Sequence, residues 1–108
     1  MIVEERIYTL QVGAVPEYVR LYHGEGLAIQ EPILGHLVGW FTATDIGELN
    51  RVVHLWAYDD LEDRARRRAQ LAADPAWQQV VAQLQPMIRE QESIILSPTP
   101  WSPVGGDR

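Results

Sequence analysis

The segment from Asn50 to Asp60 constrains the fold of this chain more than any other. Read as a β-strand, it places small aliphatic side chains on one face and aromatic side chains on the other, because side chains alternate with a period of two. The aliphatic face carries Val53, Leu55 and Ala57, and its compactness predicts that it packs under helices. The other face carries Val52, His54, Trp56 and Tyr58. Neither face is suited to water.

A chain of 108 residues can cover one face of a sheet with its own helices, but hardly two. We therefore expect a second copy of the chain to cover the aromatic face, so that His54 and its neighbours line an enclosed cavity between two subunits. In the alternative interpretation, His54 is a hydrogen-bonded core histidine and the aromatic side chains form the core of the dimer.

Composition excludes several functions. The net charge of −6 argues against nucleic acid, since neutralising phosphates requires an excess of basic charge. The chain has no cysteine, which excludes thiolate chemistry, and all nine basic residues are Arg, which excludes a lysine Schiff base. The spacing of His23, His36 and His54 matches no metal-binding motif, so we expect no metal. No apolar run approaches the roughly 18 residues that span a bilayer, and the N-terminus lacks a signal-peptide pattern. These features predict a cytoplasmic protein without a membrane partner.

The patterning predicts the element order β-α-β-β-α-β. Strands are expected over residues 2–12, 36–44, 49–58 and 89–97. One helix is expected over residues 16–30, and a second helical region begins at Asp59 or Asp60 as N-cap and restarts at Asp74-Pro75. This order is the ferredoxin-like arrangement, an α+β fold with a four-stranded antiparallel sheet and helices on one face. We expect one domain over residues 1–104 and a disordered tail over residues 105–108.

The aromatic strand face also predicts a site for a small molecule. If the first strand keeps Arg6 and Tyr8 on that face, the cavity combines a guanidinium that can bind a carboxylate, flat aromatic walls, and a histidine that can move a proton near neutral pH. One β-bulge would invert these face assignments. A second candidate contact is the helix end at Tyr22 and His23, where glycines allow close approach to a ligand. The alternative is a loosened helix end on the surface.

Three parts of the chain resemble the NIPSNAP family. Residues 4–10 are similar to its E-x-R-x-Y start. Residues 35–42 and 47–58 resemble its hairpin, G-x-x-x-G-[YW]-F followed by G-x-L-N-x-V-x-H-x-W-x-Y. Residues 60–68 and 74–77 resemble its D-L-x-x-R-x-x-R-R and D-P-x-W helices. The resemblance implies a dimeric α/β barrel, in which two ferredoxin-like sheets lie back to back and enclose a cavity. The family's name is tied to vesicle-associated proteins, and similar architectures include cofactor-free monooxygenases, cyclases, isomerases and haem enzymes.

From these features we expect a homodimer that binds a small, planar, partly apolar molecule. Any catalysis would proceed without a cofactor, as isomerisation, cyclisation or oxygenation. We expect His54 to carry the proton, Tyr58 and Tyr8 to be its catalytic hydrogen-bonding partners, and Arg6 to anchor an anion. The remaining expected ligand contacts are Trp56, Trp40, Tyr22 and His23. The alternative function is a non-catalytic binding or scaffold dimer whose cavity is filled by its own side chains.

Overall fold

The computed structural model describes residues 1–107 and contains one four-stranded antiparallel sheet. The strands are β1 (Ile2–Leu10), β2 (His36–Ala43), β3 (Arg51–Tyr58) and β4 (Ile88–Leu96). They lie in the order β2-β3-β1-β4, so β3 and β1 are the central strands. The predicted ferredoxin-like α+β fold is confirmed, with strand positions within one or two residues of those expected.

Two helical regions connect the strands. The first comprises α1 (Val15–Leu21), a π-helical segment (Tyr22–Gly26) and α2 (Leu27–Leu34). The second comprises α3 (Leu61–Ala72) and α4 (Pro75–Leu84), followed by a short 3₁₀ turn. The first region extends beyond its predicted end and contains Pro32. Proline removes one helical hydrogen bond, but Leu34 is buried in the core beyond it, and the helix ends only at Gly35, which has a φ of 94°.

Aspartate side chains begin both helices of the second region, as the sequence predicts. Asp60, and not Asp59, is the N-cap of α3, and it accepts a hydrogen bond from the backbone N–H of Asp63. Asp74 is the N-cap of α4 and accepts from the backbone N–H groups of Ala76 and Trp77. These bonds satisfy donors that an α-helix leaves unpaired in its first turn.

The helices cover the aromatic face of the sheet, which is the opposite of our prediction. His54 and Trp56 are 1% and 0% exposed, and core clusters join their strand to the helices. Arg6 pairs with His54 and Tyr8 pairs with Val52 across the β1–β3 ladder, so these side chains share the covered face. The prediction that His54 and its neighbours line a cavity between two subunits is therefore wrong, because the helices of the same chain enclose these side chains.

A β-bulge in β2 interrupts the alternation of its side chains. The register of the β2–β3 ladder shifts between Leu37 and Gly39. Leu37 and Trp40 consequently both pair with residues of the covered face, although strict alternation would place them on opposite faces. Phe41 pairs with Val53 on the opposite face, and we call that opposite face of the sheet the open face.

The open face is only partly covered, and it carries apolar side chains together with Glu5 and Glu92, which the strand ladders place on the same side. Phe41, Ile94 and Leu96 are 59%, 42% and 39% exposed. Residues 97–104 border a groove at one end of this face, beside Val3 and Leu55. The Asp107 N–H donates to the Pro100 carbonyl over 2.7 Å. Disorder of residues 105–108 stays a prediction, and Arg108 lies outside the described residues. No helix within residues 1–107 has the length and apolar character needed to cross a bilayer.

Replacing Asp74 by Ala should destabilise the protein by about 1 kcal/mol, since two N–H groups of α4 lose their acceptor. Urea unfolding at fixed protein concentration measures the change. Asp74→Asn is the matched control, because its side-chain carbonyl can still accept, and it should retain most of the stability. Equal losses in the two variants would contradict the assignment of Asp74 as the cap.

Candidate functional site

A partly open cavity of about 200 Å³ lies between the sheet and the helices. Its sheet side includes Arg6, Tyr8 and His54, and its helix side includes Tyr18, Tyr22 and Trp77. The other lining residues are Gln30, Val81, Leu84, Gln85, Ile88 and Gln91. An apolar cavity of about 150 Å³ is large enough to bind benzene. The volume therefore suits a molecule with one substituted ring.

The structure brings together four of the residues predicted to form the site: Arg6, Tyr8, Tyr22 and His54 line the cavity. Two further predicted residues, Trp40 and Trp56, do not line it but contact the imidazole of His54.

The imidazole of His54 is held by rings on several sides. The indole Nε1–H of Trp56 donates to His54 Nδ1 over 2.7 Å. The Trp40 ring stacks on the imidazole, with 5.4 Å between centroids and an interplanar angle of 18°. The Tyr8 ring meets it edge-on, at 5.4 Å and 88°. Because Nδ1 accepts a hydrogen bond, the neutral imidazole carries its proton on Nε2. Nε2 is buried and has no hydrogen-bond partner in the described part of the chain.

The protonation of His54 differs from the sequence-based expectation. Burial, followed by the positive charges of Arg6 and Arg68, lowers the pKa of His54 to about 3. The imidazole is therefore neutral near pH 7, with Nδ1 already occupied. This state disfavours the predicted role of proton carrier and favours a role as hydrogen-bond donor through Nε2.

A buried carboxylate organises the neighbouring polar side chains. Glu4 is 0% exposed, and its Oε2 accepts from Arg6 Nη1 at 2.9 Å, from Arg64 Nη2 at 2.8 Å, and from the Ser93 hydroxyl. The opposite edge of Arg6 faces Tyr8, whose hydroxyl oxygen accepts from Arg6 Nε at 3.0 Å and from Nη2 at 2.7 Å. The chain Glu4–Arg6–Tyr8 thus leads from the core to the cavity.

Positive charges outnumber negative ones around the Glu4 carboxylate. Burial alone would raise the pKa of Glu4, but the hydrogen bonds from Arg64 and Ser93 and the charge of Arg6 lower it to about 2. For Arg6, burial would lower the pKa, whereas Tyr8 and Glu4 raise it. One carboxylate therefore contacts two guanidinium groups, and the polar end of the site has an excess of positive charge within an acidic protein.

The helix side of the cavity supplies aromatic walls that the sequence analysis missed in part. The Tyr18 and Tyr22 rings stack with 6.2 Å between centroids, and burial raises the pKa of both hydroxyls, so both are neutral. Trp77 meets Tyr22 edge-on at 6.4 Å. Tyr22 begins the π-helical segment, a type of distortion that is frequent at functional sites. A Cβ at Gly26 would lie 3.4 Å from Trp77, so this part of the π-helical segment is within van der Waals reach of α4.

The sequence held signals for these missed residues. Tyr18 and Tyr22 lie four residues apart, which places them on one face of a helix. Glu4 alternates with Arg6 and Tyr8, so the same period of two that grouped Arg6 with Tyr8 also includes Glu4. Gln30 and Trp77 come from separate helices, and no local pattern links them to the strands.

Two predicted residues lie elsewhere. Tyr58 is on the covered face but belongs to a second core cluster with Leu34 and Leu71, away from the cavity lining. His23 is exposed and borders a different, apolar pocket beside Trp40. The structure therefore does not support contact of Tyr58 or His23 with a ligand in the cavity. Within residues 1–107, no group of three or more His, Asp or Glu side chains is arranged to hold a metal ion.

The fold and the partly open cavity define the class: an α+β domain of ferredoxin-like topology with a cavity between its sheet and its helices. The NIPSNAP family model matches residues 3–103. The chain belongs to the NIPSNAP family.

Solved structures of bacterial relatives agree closely with this fold. A NIPSNAP family protein from Agrobacterium tumefaciens is 50% identical, with a TM-score of 0.92, and the match covers 95% of this chain and 97% of that chain. A NIPSNAP-like domain protein from Burkholderia xenovorans is 52% identical, with a TM-score of 0.90, covering 94% and 88% of the two chains. An antibiotic biosynthesis monooxygenase is only 10% identical, with a TM-score of 0.63, covering 92% of this chain and 99% of that one. This last likeness shows the fold alone.

Curated animal relatives are longer proteins. The mouse protein NipSnap homolog 2 is 33% identical over 103 residues, which cover 95% of this chain. The chain spans 36% of the length of that mouse protein and 23% of the length of the Drosophila melanogaster protein NipSnap.

Replacing Glu4 by Gln should reduce stability near pH 7 and weaken its dependence on acid pH. The pKa of Glu4 is lowered from 4.5 to about 2. Its ionised form therefore adds stability above pH 4.5, and this contribution is lost as the pH falls to 2. At about 1.4 kcal/mol per pKa unit, the contribution is about 3 kcal/mol.

Urea unfolding from pH 7 to pH 2 tests this expectation. The stability difference between the wild-type protein and Glu4→Gln should shrink by about 3 kcal/mol across that range. Glu62→Gln, which changes an exposed carboxyl group on α3, should run parallel to the wild type. Parallel curves for Glu4→Gln as well would contradict a strongly paired carboxylate.

Proposed function

We propose that the protein is a homodimer in which each subunit binds a small, planar, partly apolar molecule in its own cavity. The observation that carries this proposal is the lining: stacked aromatic side chains on the helix side face hydrogen-bonding groups of His54, Arg6 and Tyr8 on the sheet side. Pockets of this kind bury the apolar part of a ligand and orient it through a few polar groups.

The volume of the cavity limits the size of the ligand that it can hold. Pockets for drug-sized molecules typically occupy about 300–1,000 Å³, whereas this cavity has about 200 Å³. A single ring with small substituents matches that space. A pure scaffold would fill the same space with its own side chains, so the open cavity favours ligand binding over the scaffold alternative.

If the protein is an enzyme, the site favours cofactor-independent isomerisation or cyclisation. A neutral imidazole that donates an N–H can polarise a carbonyl group, and a buried polar environment strengthens that effect. Nε2 of His54 has the required protonation near pH 7. Oxygenation draws no support from the antibiotic biosynthesis monooxygenase, because a shared fold does not imply a shared chemistry.

The open face of the sheet supports the homodimer. Phe41 and Ile94 are exposed on it, and Val53 and Leu55 are half-buried. Two such faces can pack on each other as aligned sheets, which would remove these side chains from water. The family resemblance implies the same back-to-back arrangement. A cytoplasmic location remains part of the proposal, and cell fractionation tests it.

A ring-compound library tested by thermal denaturation should contain ligands that stabilise the wild-type protein. At about 100 times its Kd, a ligand adds about 2.7 kcal/mol, which raises the Tm of a domain of this size by about 10 °C or more. Val81→Trp fills the cavity and should remove the response, whereas Val12→Trp, at a position 84% exposed, should retain it. Equal responses in both variants would place the binding outside the cavity.

Replacing Phe41 by Glu should separate the dimer, because each subunit would then bury an additional negative charge against the open face of the other. Sedimentation velocity at micromolar concentration should give twice 12.3 kDa for the wild-type protein and 12.3 kDa for the variant. Ile46→Glu changes a loop side chain that is 87% exposed and should leave the dimer intact. A wild-type protein that sediments as a folded monomer would refute the proposed dimer.

A further inference from the structure

We infer that the cavity selects a ring-bearing carboxylate, and that Trp56 is the positioning residue that fixes His54 as an N–H donor toward the carboxylate. This inference rests on the proposed function, since it names the class of ligand for the same cavity. It adds a role for a residue that does not itself line the cavity.

The hydrogen bond between the Trp56 indole and the His54 imidazole determines which nitrogen of His54 carries the proton. An indole N–H can donate a hydrogen bond but cannot accept one. The 2.7 Å bond from Trp56 Nε1 to His54 Nδ1 therefore requires an unprotonated Nδ1. Trp56 and His54 are both within 1% of full burial, so water does not compete for this bond. The proton of the neutral imidazole is confined to Nε2.

The N–H group at Nε2 is the donor that His54 can offer to a ligand. His54 lines the cavity, and its Nε2 is buried without a hydrogen-bond partner among residues 1–107. A buried donor without an acceptor is unfavourable and is rare in native proteins. A ligand oxygen in the cavity would supply the missing acceptor.

Tyr8 and Arg6, beside His54, add a further donor and a positive charge. The Tyr8 oxygen accepts two N–H groups from Arg6, so the Tyr8 hydroxyl hydrogen remains to be donated elsewhere. Arg6 is the one charged side chain among the described lining residues, and its partner Glu4 is shared with Arg64. The sheet side of the cavity therefore offers donors and positive charge, which together match a carboxylate.

The aromatic wall of the cavity suits the ring of such a ligand. Tyr18, Tyr22 and Trp77 form the opposite wall, and aromatic side chains bind planar rings through offset or edge-to-face contacts. A ring at this wall and a carboxylate at the donors fit one small molecule. Benzoate is the simplest probe of this class, and toluene is its counterpart without the oxygen atoms.

Nitrogen-15 NMR of the histidine side chains tests the role of Trp56 without any ligand. At pH 7, wild-type His54 should give the signature of a single neutral tautomer with its proton on Nε2. His54→Gln identifies the His54 signals against those of His23 and His36. Trp56→Phe should give a mixture of the two neutral tautomers. An Nδ1–H tautomer or an imidazolium in the wild-type protein would overturn the inference.

Titration calorimetry with the two probes tests the ligand class. Benzoate should bind the wild-type protein at least tenfold more tightly than toluene. Trp56→Phe should lower benzoate affinity about tenfold and leave toluene affinity unchanged. Tyr8→Phe provides a second variant that retains the ring, and it should have the same selective effect if Trp56→Phe fails to fold.

The outcomes separate the two proposals. Toluene that binds as tightly as benzoate would overturn the ligand class and leave the cavity as a binding site. Equal losses for both probes in Trp56→Phe and in Tyr8→Phe would assign these residues a purely structural role and overturn the inference. If neither probe binds, the inference is overturned, whereas the proposed function is decided separately by the ring-compound library and the Val81→Trp variant.

Discussion

The register between the two central strands determines the rest of this structure. Arg6 lies opposite His54, so one choice of face carries the polar side chains of both strands to the same side of the sheet. The helices cover that side. A shift of β1 by one residue would move Glu4, Arg6 and Tyr8 to the other face and separate them from His54. The site and the open face are therefore two results of a single constraint.

Burial of Glu4 then restricts the polar side chains. A carboxylate removed from water must be paired, and removing one partner of a buried pair is strongly unfavourable. Glu4 is paired with Arg6, Arg64 and Ser93, which come from β1, α3 and β4. This network joins the sheet to a helix and also fixes the guanidinium that faces Tyr8. Structural stability and the orientation of the site thus depend on the same hydrogen bonds.

Sequence patterns predicted well which side chains share a face of the sheet, and poorly which face the helices cover. The period of two correctly grouped Arg6 with Tyr8, and the register meets the condition that both share the face of His54. The Asp-capped helix starts were correct at Asp60 and Asp74. Alternation alone does not identify which of two apolar faces meets the helices. That choice is made by tertiary packing, in which Val52 and Trp56 join core clusters with residues of the helices. The bulge beside Val38 depends on tertiary contacts, and helical spacing places Trp77 on the apolar face of α4 without indicating that it lines the cavity.

The hydrogen-bond donors of the cavity and its apolar walls come from different kinds of secondary structure. The donors Arg6, Tyr8 and His54 stand on the central strands, where ladders on both sides hold the backbone. The walls belong to helices, including the π-helical segment that begins at Tyr22. Groups on paired strands are held precisely by the scaffold. Substitutions in the helices can therefore change the size of the cavity while the donors, and with them the polar chemistry of the ligand, remain in place.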